Sequence, residues 1–389
     1  MAKKIIYISG TRADYGLMRE TLFRIQKTPG LSPGIIATGM HLMPEFGMTL
    51  EDIKRDGFKD IQVIPATYRK DNRRSMAEFI GKFISLFTVY LSTHKPDIIL
   101  LLGDRAEMLA AAVAGVYAGD KTIIAHIHGG EITSTVDESA RHAITKLAHI
   151  HLCATPKAAE RVIKMGEDKK NVHIVGAPGL DAILSAKYTP PHILAQKYKF
   201  DRTRPLAILV QHPVTAEISE APEQISATIS ALVKKNIRTI IIYPNADAGG
   251  RKMISVIKKF VAKTGSEGNL MSAYPSIPRE DYLGLMRCAS FIIGNSSSGI
   301  IEAPSLGLPA INIGTRQSGR ERAENVIDTG YAEKDIIKAI DRVLNDKKFL
   351  KKISSKKNPY GDGKTADRIA GILEKIQITP QLLQKKLAY

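Results

Sequence analysis

The stretch "HIHGGEITSTVDESARHAI" (126–144) sets Glu131, Asp137, Glu138 and Arg141 within eleven positions, directly after the apolar run "TIIAHIHGG" (122–130). A second apolar run, "DIILLLGD" (97–104), ends on Asp104 and Arg105. Carboxylates are costly to desolvate one by one. Acids placed past two neighbouring strands fit a different purpose, a general acid and a general base converging on one substrate. Asp104 alone also fits the cap of a following helix.

Another group of residues suits a phosphate. "SGTRADYG" (9–16) places Arg12 beside a helix start, where free N–H groups and the helix dipole favour an anion; pairing with a nearby acid suits Arg12 equally. "FIIGNSSSGIIEAPSLGLP" (291–309) sets Ser296, Ser297, Ser298 and Gly299 between a strand and a helix. They suit a phosphate cradle, or a serine cap on an ordinary helix. Glu302, further into that helix, repels a phosphate but accepts hydrogen bonds from a ribose diol. "LVQHPVT" (209–215) puts His212 just past a strand, and "NIGTRQSGRERAEN" (312–325) adds Arg316, Arg320 and Arg322. One half thus offers carboxylates with an arginine, the other a phosphate cradle with a diol acceptor. A nucleotide diphosphate carrying a reactive sugar fits that division.

Other sites find less support. His126 and His128 alternate on a strand at a spacing used by some metal sites, but no third ligand stands at a diagnostic spacing, so no metal is expected. Neither GxGxxG nor GxxxxGK[ST] occurs, which leaves a dinucleotide or P-loop site without support.

The segments that must position these residues alternate short β-branched runs with helix-period stretches. "KIIYISG" (4–10), "IHLCAT" (150–155) and "NVHIVGAP" (171–178) join the two runs above as parallel strands covered on both faces. The rhythm breaks at "SAKYTPPHILAQKYKFDRTRP" (185–205), read as a linker, and resumes with "LAILVQHP" (206–213), "TIIIYPN" (239–245), "SFIIGNSS" (290–297) and "PAINIG" (309–314). The expected fold is α/β: two doubly wound Rossmann-type domains, 1–187 and 188–363, the ligand lying in the cleft outside their strand ends. The closing stretch "KTADRIAGILEKI" (364–376) is amphipathic and can pack on either domain.

Composition supports a globular protein, with 44% hydrophobic and 24% charged residues in 389. The net charge of +17 suits a polyanion, but its lysine runs lack the interleaved aromatics that base stacking requires, so no nucleic-acid partner is expected. Cys153 and Cys288 stand alone, too few for a disulfide framework or a thiolate zinc site. No apolar run approaches the roughly 20 residues of a membrane span, and the N-terminal run is too short for a signal sequence. The chain reads as cytosolic.

"GTRADYG", "ATGMHL", "LLGDRAEMLAAA", "HIHGGE…DESARHAITKLAH", "QHPVT", "GNSSSGIIEAPSLGLPAINIGTRQ" and "GRERAENV" together resemble the UDP-N-acetylglucosamine 2-epimerase family over about 10–325. "HIHGG" in place of the HVEAG of non-hydrolysing members points to the hydrolysing branch, which feeds sialic and legionaminic acid synthesis. The resemblance implies a GT-B-like fold whose last helix (364–380) returns to the first domain, and an assembly of two or four copies. It implies Asp104, Glu131 and Asp137 as catalytic carboxylates, His212 near the diphosphate or sugar, and Arg12, Ser296, Ser297, Ser298, Glu302 and Arg316 as UDP ligands. Arg105, Glu138 and His142 complete the candidate set on the substrate.

The chemistry implied is loss of the C2 proton and of UDP to give a 2-acetamidoglucal, then addition of water with inversion at C2. No hydride moves, so no cofactor is expected. UDP-N-acetylglucosamine and UDP-N,N′-diacetylbacillosamine both fit as substrates. Two rival readings are a GT-B glycosyltransferase with a UDP-sugar donor and a polyanion-binding protein.

Overall fold

The computed structural model describes residues 2–70, 72–133, 136–184, 188–245, 247–264 and 270–388, with the side chains of Val136 and Asp137 outside the description. Two compact units form: Met1–Glu131 with Val136–Ala182 and Tyr360–Tyr389, and Ile132–Thr135 with Ile183–Pro359.

In the first unit, strands β1 (Lys3–Ser9), β2 (Leu31–Ala37), β3 (Asp60–Val63), β4 (Ile98–Leu102), β5 (Ile123–Ile127), β6 (Ile150–Cys153) and β7 (Val172–Ile174) form one parallel sheet. Their order is β3-β2-β1-β4-β5-β6-β7. β4 and β5 are buried along their whole length, as strands covered by helices on both faces must be. The strand order turns about the β1–β4 pair, so the loops leaving those two strands diverge and open a crevice at their carboxyl ends. Ser9–Arg12 and Gly103–Arg105 are those loops.

The second unit repeats the plan with β8 (Leu206–Val210), β9 (Arg238–Ile242), β10 (Met271–Tyr274), β11 (Phe291–Gly294), β12 (Ala310–Ile313) and β13 (Val326–Thr329), in the order β10-β9-β8-β11-β12-β13. The turning pair here is β8 and β11, whose exits carry His212 and the serines.

Four strands lack a continuous apolar signal. β2 (LSPGIIA) carries Pro33, and β3, β10 and β13 are four-residue edge strands with partly exposed side chains. The segment taken as a linker holds helix Pro191–Tyr198, which opens on the proline that favours a first helical turn.

Helix Thr365–Lys375 belongs to the first unit. Ala366, Ile369, Ala370 and Leu373 are buried, and the last three join the core packed under helix Arg12–Lys27. Its first N–H groups, on Thr365 and Ala366, donate to the Asp181 carboxylate at 3.1 and 3.0 Å. The Lys3 ammonium donates to the carbonyls of Leu373 and Glu374 at its other end. A negative cap at the start and a positive one at the finish complement the helix dipole. None of the helices among the described residues is long and apolar enough to cross a membrane.

Candidate functional site

The β1 exit is built around Asp14. Its carboxylate accepts from the N–H groups of Gly10 and Thr11 at 3.1 and 2.7 Å and from the Ser9 hydroxyl at 2.5 Å, while Thr11 caps the helix in return. Burial raises the Asp14 pKa, only partly offset by Ser9, Arg105 and Thr11. Arg12, the first helical residue, pairs with Asp52, the acid partner its sequence left open, and Arg55 grips the other Asp52 oxygen at 2.5 Å. Any phosphate held by Arg12 would share it with Asp52.

At the β4 exit, Arg105 rather than Asp104 occupies the cap position of helix Ala106–Ala118. Arg105 donates instead to Glu107, at 3.4 Å from Nε and 3.2 Å from Nη2. Glu107 is fully buried against Gly10, where any β-carbon would overlap its carboxylate. Asp104 keeps partial exposure and pairs with the guanidinium of Arg141.

The β5 exit turns sharply. His128 takes a left-handed φ of 66° and Gly130 one of 78°, so the strand alternation of His126 and His128 stops at Ile127. A β-carbon on Gly130 would overlap the Ala158 carbonyl oxygen. The turn buries Glu131, whose Oε1 lies 2.9 Å from His128 Nδ1. Burial, with the Glu131 charge adding to it, pushes the Cys153 thiol up to about 12. Arg141, buried on helix Val136–Leu147, donates from Nη1 to the Glu131 carbonyl at 2.9 Å and from Nη2 to Asp104. One guanidinium therefore spans both exits. Glu138 and His142 lie a turn apart on the same helix, 3.4 Å from each other and partly exposed. The Asp137 side chain lies outside the described residues. Among the described residues no three His, Cys, Asp or Glu side chains gather as a metal would require.

His126 points into the sheet rather than toward a ligand. Its Nε2 lies 2.7 Å from the Gly103 carbonyl and Nδ1 3.2 Å from the Thr145 hydroxyl, and burial lowers its pKa to about 3.

In the second unit, His212 is anchored through Asn295. The His212 N–H donates to Asn295 Oδ1 at 2.7 Å, and Asn295 Nδ2 returns a bond to the His212 carbonyl at 2.9 Å. The Asn245 N–H donates to His212 Nδ1 at 3.2 Å, which leaves the ring proton on Nε2 as a donor. Gln317 and Arg316 donate to the Asn295 carbonyl at 2.8 and 3.3 Å, so one buried asparagine joins the histidine turn to the arginine loop. Arg322 pairs with Asp328.

The serine segment departs from an ordinary capped helix. Helix Ser298–Ile301 is a single turn, and Ser297 at its cap position makes no capping bond. A helix so short carries little dipole, and phosphate contacts there would come from N–H groups and hydroxyls directly. Ser298 Oγ donates to Glu302 Oε2 at 2.6 Å, and Arg279 Nη2 donates to Oε1 at 2.6 Å. Glu302 is 2% exposed and stands just after that turn. A diol would bond to a carboxylate already gripped by Arg279. Tyr282 stays protonated beside it, its pKa raised by burial and by Glu302.

Glu107, Asn295 and Arg279 carry these arrangements without a signal in the residue types. Each reads in sequence as an ordinary polar residue on a helix or loop, and only packing turns it inward.

The family model described as UDP-N-acetylglucosamine 2-epimerase matches residues 24–374. The chain is 39% identical over its whole length to the full-length UDP-N,N′-diacetylbacillosamine 2-epimerase (hydrolyzing) of Legionella pneumophila. It is 35% identical to a UDP-N-acetylglucosamine 2-epimerase of Neisseria meningitidis, covering 89% of each chain. Among solved structures, UDP-GlcNAc 2-epimerase from Neisseria meningitidis bound to UDP-GlcNAc superposes with a TM-score of 0.78 at 19% identity, covering 96% of this chain and all of that one. The fold is thus GT-B-like.

Proposed function

Because the chain belongs to the UDP-N-acetylglucosamine 2-epimerase family, in its hydrolysing branch, we propose that it converts a UDP-2-acetamido sugar and water into UDP and the free 2-epimer. The substrate is UDP-N-acetylglucosamine or UDP-N,N′-diacetylbacillosamine; the full-length relative at 39% identity is named for the second, which makes it the first to test. The products are N-acetylmannosamine or its 2,4-diacetamido-6-deoxy counterpart, on the way to sialic or legionaminic acids. A dimer or tetramer belongs to the same reading.

The observation that carries this reading is the pairing of Asp104 and Glu131, held past adjacent parallel strands by one buried guanidinium. C2–H is a weak acid, so its removal requires a base within hydrogen-bond reach. As the proton leaves C2, the C1–O bond to UDP breaks and the C1–C2 double bond forms. Water then adds its hydroxyl to C1, and a proton reaches C2 on the opposite face. In this reading Asp104, Glu131 and Asp137 serve these proton transfers, and Glu138, His142 and Arg105 bind the sugar. His212, with its Nε2 proton, donates to the departing diphosphate, as do Arg12, Arg316 and the Ser296–Ser298 segment. Glu302, oriented by Arg279, receives the ribose.

Proton NMR of each candidate reaction in D₂O tests the proposal. Free sugar with deuterium at C2 and inverted configuration is the expected product, with UDP released in equal amount and no acceptor required. A sugar released with its C2 proton retained, or turnover only with an added acceptor, would overturn the reading and favour a glycosyltransferase.

A further inference from the structure

Arg141 is 1% exposed, whereas the Asp104 carboxylate it grips keeps 22% of its side-chain surface. A guanidinium at that depth has no surface to offer a ligand, so it acts on its neighbours. Nη2 donates to the Asp104 carboxylate past β4, and Nη1 donates to the Glu131 carbonyl past β5, 2.9 Å away. The planar fork has a fixed spread between its nitrogens, so the two contacts hold the strand exits at one separation. From the geometry we propose that Arg141 is a positioning residue, setting the distance and orientation of Asp104 relative to Glu131 while itself touching no substrate.

This inference rests on the reaction proposed above and extends it. A lysine at 141 would keep the charge but lose the planar fork, because an ammonium gathers its three donors on one nitrogen and cannot reproduce the fixed spread of the guanidinium. Removal of the fork would take from Asp104 the contact that ties it to the Glu131 turn. Misplacement by about 1 Å is enough to lower turnover by about 10²-fold. The UDP contacts proposed above belong to other residues, so substrate affinity should change little.

The test uses the full chain and UDP release from whichever UDP-sugar the wild type turns over. Arg141→Met is expected to lower kcat by about 10²-fold with KM within about 3-fold, and Arg141→Lys by about 10-fold. The decisive comparison is the pair Asp104→Asn and Asp104→Asn/Arg141→Met. If Arg141 acts through Asp104, the double variant is no slower than Asp104→Asn alone, within about 3-fold. A purely structural arginine predicts multiplied losses, and that outcome, or near wild-type kcat in Arg141→Met, overturns the proposal. Should Arg141→Met fail to fold, Arg141→Lys and its double with Asp104→Asn make the same comparison. A wild type that releases UDP from neither sugar would instead overturn the reaction itself, and the positioning role with it.

Discussion

His126 Nε2 stands 2.7 Å from the carbonyl oxygen of Gly103, tying β5 to the turn that presents Asp104. The bond requires a ring N–H on Nε2, and burial holds the ring neutral with a pKa of about 3 although that bond pulls the other way. In the unfolded chain the same ring titrates near 6.5. Between those values the unfolded state binds the extra proton, so stability falls as pH drops from about 6.5 toward 3. His41 and His149, both lowered to about 4 by burial, act in the same direction. Urea unfolding of wild type and His126→Gln across pH 7 to 4.5 separates this contribution. The wild type should lose up to about 1.4 kcal/mol more per pH unit than the variant in that range. Parallel curves would show that His126 is not the titrating group.

Asp104 and Glu131 follow adjacent strands, and the reaction proposed above gives them the proton transfers. Asp104→Asn and Glu131→Gln are each expected to reduce kcat by about 10²-fold or more, with unfolding midpoints near wild type for Asp104→Asn. Steady-state UDP release is the measurement. Full turnover in both variants would remove the pair from the mechanism.

Arg12 shares Asp52 with Arg55. An arginine that holds the diphosphate contributes in the ground state as well as the transition state, so Arg12→Ala should raise KM about 10-fold with kcat within about 3-fold. Asp52→Asn gives the control, because it releases Arg12 without removing it and should not raise KM comparably. An unchanged KM in Arg12→Ala would limit the residue to its ion pair.

How much of this could be read from the residues alone depends on burial. β4, β5, β8 and β11 are legible because both their faces are covered and their apolar runs are unbroken. Their exits could be placed from the same runs, and with them Asp104, Glu131, His212 and the serines. Edge strands β3, β10 and β13 are short and half exposed, so no run marks them. Asp104 before a helix looks like a cap, yet the cap position fell one residue later and the carboxylate found Arg141 instead. Arg141 stands out in the ionisable cluster after β5, but its inward turn onto both strand exits comes from tertiary packing that no local pattern describes. Glu302 likewise suggested an open acceptor until Arg279 and Ser298 took up its oxygens.

Gly130 combines a left-handed φ of 78° with a β-carbon position that overlaps the Ala158 carbonyl. Gly30 has the same φ and nothing within 4 Å. Gly30→Ala therefore isolates backbone strain, about 1 kcal/mol, whereas Gly130→Ala adds a steric conflict and should destabilise by about 2 kcal/mol or more. The displaced turn carries Glu131, so the kcat of folded Gly130→Ala should fall while that of Gly30→Ala should not. Equal destabilisation by the two changes would mean that the backbone around Ala158 yields freely.

Near the end of the chain, Lys385 reaches beneath the helix that bears Arg141. Its ammonium donates to the Thr145 carbonyl at 3.1 Å and to that of Ala148, and it pairs with the buried Glu167. Lys146 and His151 meet the same carboxylate at 2.7 and 2.9 Å. Burial alone would raise the Glu167 pKa, but the bonds from His151, Lys146 and Lys385 outweigh it and bring the group down to about 2. An unfolded glutamate titrates near 4.3, so this stabilisation is complete above that pH and is lost as pH falls toward 2. Lys385→Met leaves Glu167 short of one partner and uncaps the helix, and should destabilise by about 2 kcal/mol or more at pH 7. Glu167→Gln should flatten the stability profile below about pH 4.5 relative to wild type. Chemical unfolding at several pH values measures both. If Lys385→Met unfolds at the wild-type midpoint, the terminal lysine holds neither the helix nor the carboxylate, and Lys146 with His151 suffices for Glu167.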